Sequence, residues 1–335
     1  MSSYRKGRQL LSLSFSGAGH LLPYHLGASW SILEHINKQE VQKRVSNKKR
    51  RSSDKSSSNT SISQISIRGV AGSSSGAIAA VVFSKMPHRI EEFAERFIKK
   101  RGKALETLAS MLHEEETHWT AKNDVVGNEN QNTKVEVSID QTLTKATAPS
   151  IYIATTRCKD GMPHLFRFSN NQIYSTISSN WNTDVILKTV KASCMIPSSF
   201  HPIDLFPSFW DDSLHYLDEE GICIDGTYYV DGGIAAPAPH VPLLKSGSKS
   251  IIISPISYAG GSNLDENTYR ISPSDDSWRL LPFRNITCRN QFLVKPSIQN
   301  VQALRVASGT TNPTELQEWY DRGVADADAI MSKLN

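Results

Sequence analysis

The chain reads as an α/β protein, a three-layer α/β/α sandwich around a mainly parallel central sheet. Three observations predict this. Short apolar strand-like runs recur along the chain, helical apolar stripes lie between them, and two glycine turns lead from a strand straight into a helix. Strands alternating with helices are the signature of parallel βαβ units. At 335 residues the chain suits one large domain with room for an insertion. A single domain over residues 1–335 is expected, with its core at about 10–260 and a closing helix at about 313–333.

Gln9-Leu-Leu-Ser-Leu-Ser-Phe15 alternates polar and apolar positions and reads as a strand. It runs into the glycine turn Ser16-Gly-Ala-Gly19, and then Leu26, Trp30, Leu33 and Ile36 recur at helical spacing. Residues 43–63 are basic and then Ser-rich, a composition unable to bury enough apolar surface to order itself, so a flexible basic loop is expected there. Gln64 to Ala71 reads as a second strand, turning at Gly72 into a helix that begins near Ser75. One helix is expected from Arg89 to about His118 and a polar loop over 121–134. Strands follow at Val135–Ile139 and Ser150–Thr155, a short helix at Val185–Lys191, and strands at Tyr228–Val230 and Ser250–Ser254. Asn312 and Pro313 fit the N-cap and first position of the last helix.

Charge gives no case for nucleic acid. The net charge is +4, but Lys43–Lys55 alone carries +6, so the rest of the chain sums to −2. A charge run of this kind is either a solvated face, a nuclear-localisation-like patch or a contact with anionic membrane. Cys158, Cys194, Cys223 and Cys288 include no CxxC pair, so neither a disulfide framework nor a structural zinc site is expected, and a reducing compartment fits. The polar start Met1–Gln9 and the short apolar run Leu10–Phe15 do not read as a signal peptide. No apolar run reaches the roughly eighteen residues of a spanning helix. A cytoplasmic protein, peripheral at most on a membrane, is the expectation.

The sharpest motif is Gly72-Ser73-Ser74-Ser75-Gly76, a G-x-S-x-G pattern set between an apolar strand and a helix. A nucleophile elbow needs that context, because only a tight strand-to-helix turn lifts the serine Oγ clear of the backbone. The register makes Ser74 the nucleophile and leaves Ser73 and Ser75 to packing or capping. A Ser/Gly loop that merely caps a helix is the bland alternative. Gly17-Ala18-Gly19 does not open a dinucleotide fingerprint, since the sixth position is Leu22 and no strand precedes the acidic Glu40. Its N–H groups suit an oxyanion hole, with an ordinary tight turn as the competing reading. In Asp231-Gly232-Gly233 an acid ends a strand and two glycines leave room for a neighbour; Asp225-Gly226 competes as a similar pair.

Histidine decides the mechanism. The order serine, acid, histidine of an α/β-hydrolase requires a late histidine, and after Asp231 only His240 remains, nine residues on in a Pro-rich stretch. A carboxylate base is therefore read for Ser74, giving a Ser74–Asp231 dyad. His20 and His25 are candidates to line the site. Phe206-Pro-Ser-Phe-Trp210 is an apolar stretch in an insertion, read as core or as an interfacial lip.

These residues together resemble the patatin-like phospholipase family. Leu13 to Gly27 is similar to its glycine-rich oxyanion segment, Gly69 to Ala77 to its elbow, and Asp231-Gly-Gly233 to its Asp-Gly-Gly. Lys191 to Phe200 and Tyr320 to Ala327 resemble two quieter stretches, so the likeness spans roughly residues 10–330. It implies a Ser74–Asp231 dyad, an oxyanion hole at Gly17, Ala18 and Gly19, motif glycines Gly72, Gly76, Gly232 and Gly233, and no metal or other cofactor. It further implies hydrolysis of phospholipid, galactolipid or triacylglycerol esters at a membrane or lipid-droplet surface. Two departures stand out: Leu22 replaces the loop's third glycine, and Ile-Ala-Ala-Pro-Ala-Pro follows Asp231-Gly-Gly without the usual Asn. A catalytically weak lipid-binding protein and a transacylase using the same acyl-serine are the alternative readings.

Overall fold

The computed structural model describes residues 9–52, 65–100, 103–126, 148–169, 182–197, 221–242, 248–257, 266–274, 286–288, 292–294, 296–309 and 311–334. Its centre is strand β1 (Gln9–Phe15), with β2 (Ile65–Ser73) parallel on one side and β7 (Lys249–Ile253) parallel on the other. β3 (Ser150–Arg157) extends the parallel run beyond β2, and β8 (Thr268–Ile271) extends it beyond β7. The fold is thus mixed α/β with a mostly parallel central sheet flanked by helices, as expected.

The serines of β1 do not face water. Both faces of a mainly parallel sheet are covered, so Ser12 and Ser14 are buried alongside Leu11, Leu13 and Phe15. Their hydroxyls donate to Lys249 O (3.4 Å) and Pro239 O (2.7 Å), which offsets the cost of burying them.

Antiparallel pieces close one end of the sheet. β5 (Ile222–Ile224) and β6 (Thr227–Asp231) form a hairpin, with Ile224 opposite Thr227. Its two turn residues, Asp225 and Gly226, both have positive φ (48° and 78°), the type I′ geometry for which Asp-Gly is favoured. The competing Asp-Gly pair is therefore a hairpin turn. β4 (Pro163–Phe168) pairs antiparallel with β3 as well. β9 (Ile286–Cys288) and β10 (Phe292–Val294) make a separate antiparallel pair.

Helix α2 (Ser75–Lys85) is buried along nearly its whole length, from Ser75 to Ser84, and packs on β1, β2 and β3. A helix apolar all round belongs in a core, and its alanines allow the close approach. α1 (Leu22–Ser52) packs along the C-terminal helix α7 (Pro313–Leu334). The pair is joined by Tyr24 Oη donating to Asp326 Oδ2 (2.8 Å) and Ser31 Oγ to Asp328 Oδ1 (2.7 Å). Two further helices, α5 (Thr183–Ser193) and α6 (Ile298–Ala307), bear on the site. Among the described residues no helix is long and apolar enough to cross a membrane.

Three expectations are corrected. α1 continues to Ser52, ten residues into the segment read as a flexible loop, because Lys, Arg and Gln propagate a helix well and no Gly or Pro interrupts them; residues 53–64 lie outside the described ones. The single helix expected from Arg89 is two, α3 (Ile90–Lys99) and α4 (Ala104–Val126); the sequence between them carries Gly102, the poorest helix former of that stretch. Arg96 Nη1 on α3 donates to Glu114 Oε1 on α4 (2.8 Å), bracing the two. α4 also takes in residues 121–126, read as loop, and stops just before Gly127. The strand expected at Val135–Ile139 and the stretch Phe206–Trp210 lie outside the described residues.

Candidate active site

The site is assembled on β3. Its residues 151–156 pair with β4 along one edge, which leaves the other edge to β2 and β6. β2 occupies Ser150 to Ala154 and ends with Ser73 opposite Ala154; β6 begins at the next position, with Asp231 opposite Thr155. β2 is parallel to β3 and β6 antiparallel, so the two strands meet head to head. The residue that follows Ser73 is thereby brought against Asp231.

That residue is Ser74, at φ 52° and ψ −127°. Among the described residues only Ser74 and Asp225 have positive φ without being glycine. Such a conformation costs about 1–3 kcal/mol and persists only when its surroundings enforce it. The enforcement is steric: a Cβ on Gly72 would collide with the Gly76 carbonyl, and one on Gly76 with the carbonyls of Phe15 and Ser16. Ser74 stands at the N-cap of α2, yet its hydroxyl caps nothing. The capping role that serine usually takes there is vacated.

The flanking serines are structural. Ser73 Oγ donates to Pro237 O (2.9 Å), and Ser75 Oγ accepts from Ala18 N–H (3.0 Å). Ser74 alone keeps a partly exposed hydroxyl at the head of the helix.

Asp231 is buried and gripped on all sides. Its N–H donates to Met195 O (2.8 Å), and its C=O accepts from Thr156 Oγ1 (2.7 Å). Oδ1 accepts from Gly233 N–H (2.7 Å), which caps the helical turn Gly232–Ala235. Oδ2 is buried without a partner at full hydrogen-bond geometry. Burial pushes the carboxyl up to about 6, against the lowering pull of the Ser74 hydroxyl and then the Gly233 N–H. The Ser74 hydroxyl is thus near enough to the carboxyl to act on its charge. Gly232 allows the dyad to close, since a Cβ there would strike the Ala154 carbonyl.

The expected oxyanion loop lies against the elbow: a Cβ on Gly17 would stand 3.4 Å from Ser74 Cβ. Two of its three donors are engaged elsewhere, however. Gly17 N–H donates to Pro237 O (2.8 Å) and Ala18 N–H to Ser75 Oγ. The N–H groups of Gly19 and Ser75, at the heads of a 3-10 turn (Gly19–Leu21) and of α2, make no hydrogen bond among the described residues. Leu22 is not part of the loop surface; it is fully buried as the first residue of α1. The proline-rich stretch after Asp231-Gly-Gly serves as a strap, with the Pro237 carbonyl joining the Gly17 turn to Ser73.

No described histidine pairs with Ser74. His25 is wholly buried, its Nε2 on Ser16 O (2.8 Å), and burial lowers its pKa to about 4, so it is a neutral buttress beneath the loop. His20 Nδ1 sits on Ala307 O at the end of α6 (3.3 Å), and His240 is exposed.

Sequence reasoning did not single out Thr156, Ser193 or the Met195 carbonyl. Ser193 Oγ accepts from Ser74 N–H (2.9 Å) and donates to Ala154 O (2.6 Å). These contacts join distant segments, and no local spacing announces them.

A family model described as patatin-like phospholipase matches residues 13–244, a span that takes in the elbow, the glycine loop and Asp231. No curated protein matches the chain. Among solved structures, VipD from Legionella pneumophila aligns at a TM-score of 0.37 and 12% identity, covering 96% of this chain and 67% of that one, a likeness too low to bear on the site.

Proposed function

This chain belongs to the patatin-like phospholipase family, whose chemistry is lipid acyl hydrolysis, and on that premise we propose that it is a serine acyl hydrolase with Ser74 as nucleophile and Asp231 as base. The observation that carries the reading is the head-to-head meeting of β2 and β6 on β3, which sets a strained, uncapped serine beside a buried carboxylate. Ser74 Oγ attacks the acyl carbonyl of a lipid ester as Asp231 takes its proton. The tetrahedral oxyanion collapses, the alcohol leaves with the proton from Asp231, and an acyl-Ser74 remains. Water then attacks that ester with Asp231 again as base, releasing the fatty acid and restoring the serine. The free N–H groups of Gly19 and Ser75 are the proposed oxyanion donors, because the residue after the nucleophile supplies one such donor in elbow enzymes and the Gly17 and Ala18 donors are engaged. Ile196, directly after Met195, is 61% exposed and offers apolar surface to an acyl chain.

The substrates proposed are phospholipid, galactolipid or triacylglycerol at a membrane or lipid-droplet surface. A second reading, a catalytically weak lipid-binding member, is favoured by the engaged Gly17 and Ala18 amides. A transacylase would use the same acyl-serine with a lysolipid as acceptor in place of water. Labelling with a fluorophosphonate separates an active nucleophile from a binding protein: the adduct is expected on Ser74 by peptide mapping, and absence of labelling there sinks the hydrolase reading.

The basic stretch Lys43–Lys55 is proposed to touch anionic lipid, each charge contributing about 1 kcal/mol near such a surface. Sedimentation with phosphatidylserine vesicles should weaken with added salt and with joint Lys48→Gln, Lys49→Gln, Arg50→Gln and Arg51→Gln substitution. Binding unchanged in that variant overturns the contact.

A further inference from the structure

The turn that ends α5 touches both members of the dyad. Ser193 Oγ holds the Ser74 amide while, two residues on, the Met195 carbonyl holds the Asp231 amide. The β2–β3 ladder explains why a hydroxyl is needed. Its last pair is Ser73 with Ala154, and at Ser74 the chain swings into its left-handed turn, leaving the Ser74 N–H and the Ala154 carbonyl with the rung between them broken. The Ser193 hydroxyl fills that gap, accepting from Ser74 N–H and donating to Ala154 O. It is itself fully buried, and lies 3.2 Å from where a Cβ of Gly232 would stand. One side chain thus joins the Ser74 backbone to the template strand, beside the glycine that follows Asp231.

We propose that Ser193 is a positioning residue for the Ser74–Asp231 pair, its hydroxyl completing the broken strand rung so that the elbow is held in its strained turn with Ser74 facing Asp231. This rests on the dyad reading above. Ser193 touches neither substrate nor the reacting atoms; it acts through the Ser74 amide. Without its hydroxyl, the Ser74 N–H and the Ala154 C=O lose their shared partner, and the elbow relaxes away from Asp231. Among the described residues the titratable group coupled to Asp231 is Cys194, held as a neutral thiol by burial and then by the Asp231 charge. The carboxyl's other neighbours are the Ser74 hydroxyl and the Gly233 N–H.

The test compares Ser193→Ala, Ser193→Cys and Ser193→Thr with wild type on a soluble p-nitrophenyl ester, recording kcat, KM, the acid limb of kcat/KM and thermal melting. Ser193→Ala is expected to lower kcat by about 10–100-fold with KM little changed, the scale of a small misplacement at a reacting centre. Its acid limb moves up by about half a unit or more, because the Ser74 hydroxyl no longer helps hold the Asp231 charge. Ser193→Thr, which keeps the hydroxyl, retains the wild-type limb. Ser193→Cys, nearly the same shape with a weak donor, shows the upward shift and decides the matter should the alanine variant not fold. A wild-type limb in both Ser193→Ala and Ser193→Cys, or a loss of rate that only follows the loss of folded protein, overturns the proposal. Ser74→Ala run alongside separates the two readings. If Ser74→Ala is inactive and the Ser193 variants behave as wild type, positioning alone fails; if Ser74→Ala is as active as wild type, the dyad fails and positioning with it.

Discussion

Ser74→Ala is expected to lower ester turnover by about 10⁴-fold or more, the scale seen when a catalytic nucleophile is deleted, and Ser74→Gly to be equally inactive yet more stable than the alanine variant by about 1 kcal/mol. The two substitutions remove the same oxygen and differ in backbone alone. Alanine must still hold φ 52° and ψ −127°, a conformation that a Cβ makes costly and glycine visits freely. Glycine's looser unfolded chain takes back a part of that gain, hence the modest net value. Urea unfolding of the two variants, with ester assays beside it, checks both halves. A glycine variant no more stable than the alanine one would show that the elbow stores no strain, and an alanine variant with wild-type turnover would remove Ser74 from the chemistry.

Asp231→Asn is expected to lose about 10³–10⁴-fold in turnover while gaining stability at neutral pH. The sign follows from the carboxyl's pKa, raised by burial from its ordinary 3.8 to about 6. A group whose pKa rises on folding favours the fold while it is protonated. That favour is present below pH 4 and is lost as pH climbs through 6, where the folded protein carries a buried charge. A gap of about two units corresponds to about 3 kcal/mol, so Asp231→Asn should exceed wild type by up to about that amount at pH 8, the difference closing between pH 6 and 4. As the proposed base, the same group is expected to set an acid limb of kcat/KM near pH 6, since the free enzyme's base must be ionised. Denaturant titrations of both proteins at pH 4 and pH 8 are the measurement, and an asparagine variant no more stable at pH 8 would contradict the buried charge. Function here is held at a cost in stability, a common feature of sites built from a desolvated acid.

Much of the central sheet was legible because its signals are local. β1, β2, β3, β6 and β7 are runs of β-branched or alternating residues bounded by turns, α1 and α7 show periodic apolar positions, and α2 is apolar along most of its length. The missed strands lack such patterns. β4 opens on a proline and is largely half-exposed, while β8 is four residues and β5, β9 and β10 three each, too short for a period to register. The β5–β6 hairpin carries a legible signal, the Asp225-Gly226 turn, whose residue pair is favoured in two-residue hairpins. The extension of α1 through a basic run went the other way: charge suggested solvent and mobility, yet helix propensity needs no buried face so long as nothing breaks the ladder.

The primary structure alone determined which of three adjacent serines stands at the elbow and that glycines flank both it and Asp231; the carboxylate base proposed for it was read from the lack of a usable late histidine. The elbow and its glycines are statements about neighbours within a few positions, where the sterics of one turn are written directly in residue type. Only the tertiary structure decided that Ser74 and Asp231 meet, because a third strand, β3, has to offer one edge to two others arriving from opposite directions. It also decided which amides of the glycine loop are engaged, and that Ser193 bridges the broken rung. Hydrogen-bond partners are chosen by whichever groups packing brings within reach, and in this chain the partners come from segments far apart in sequence.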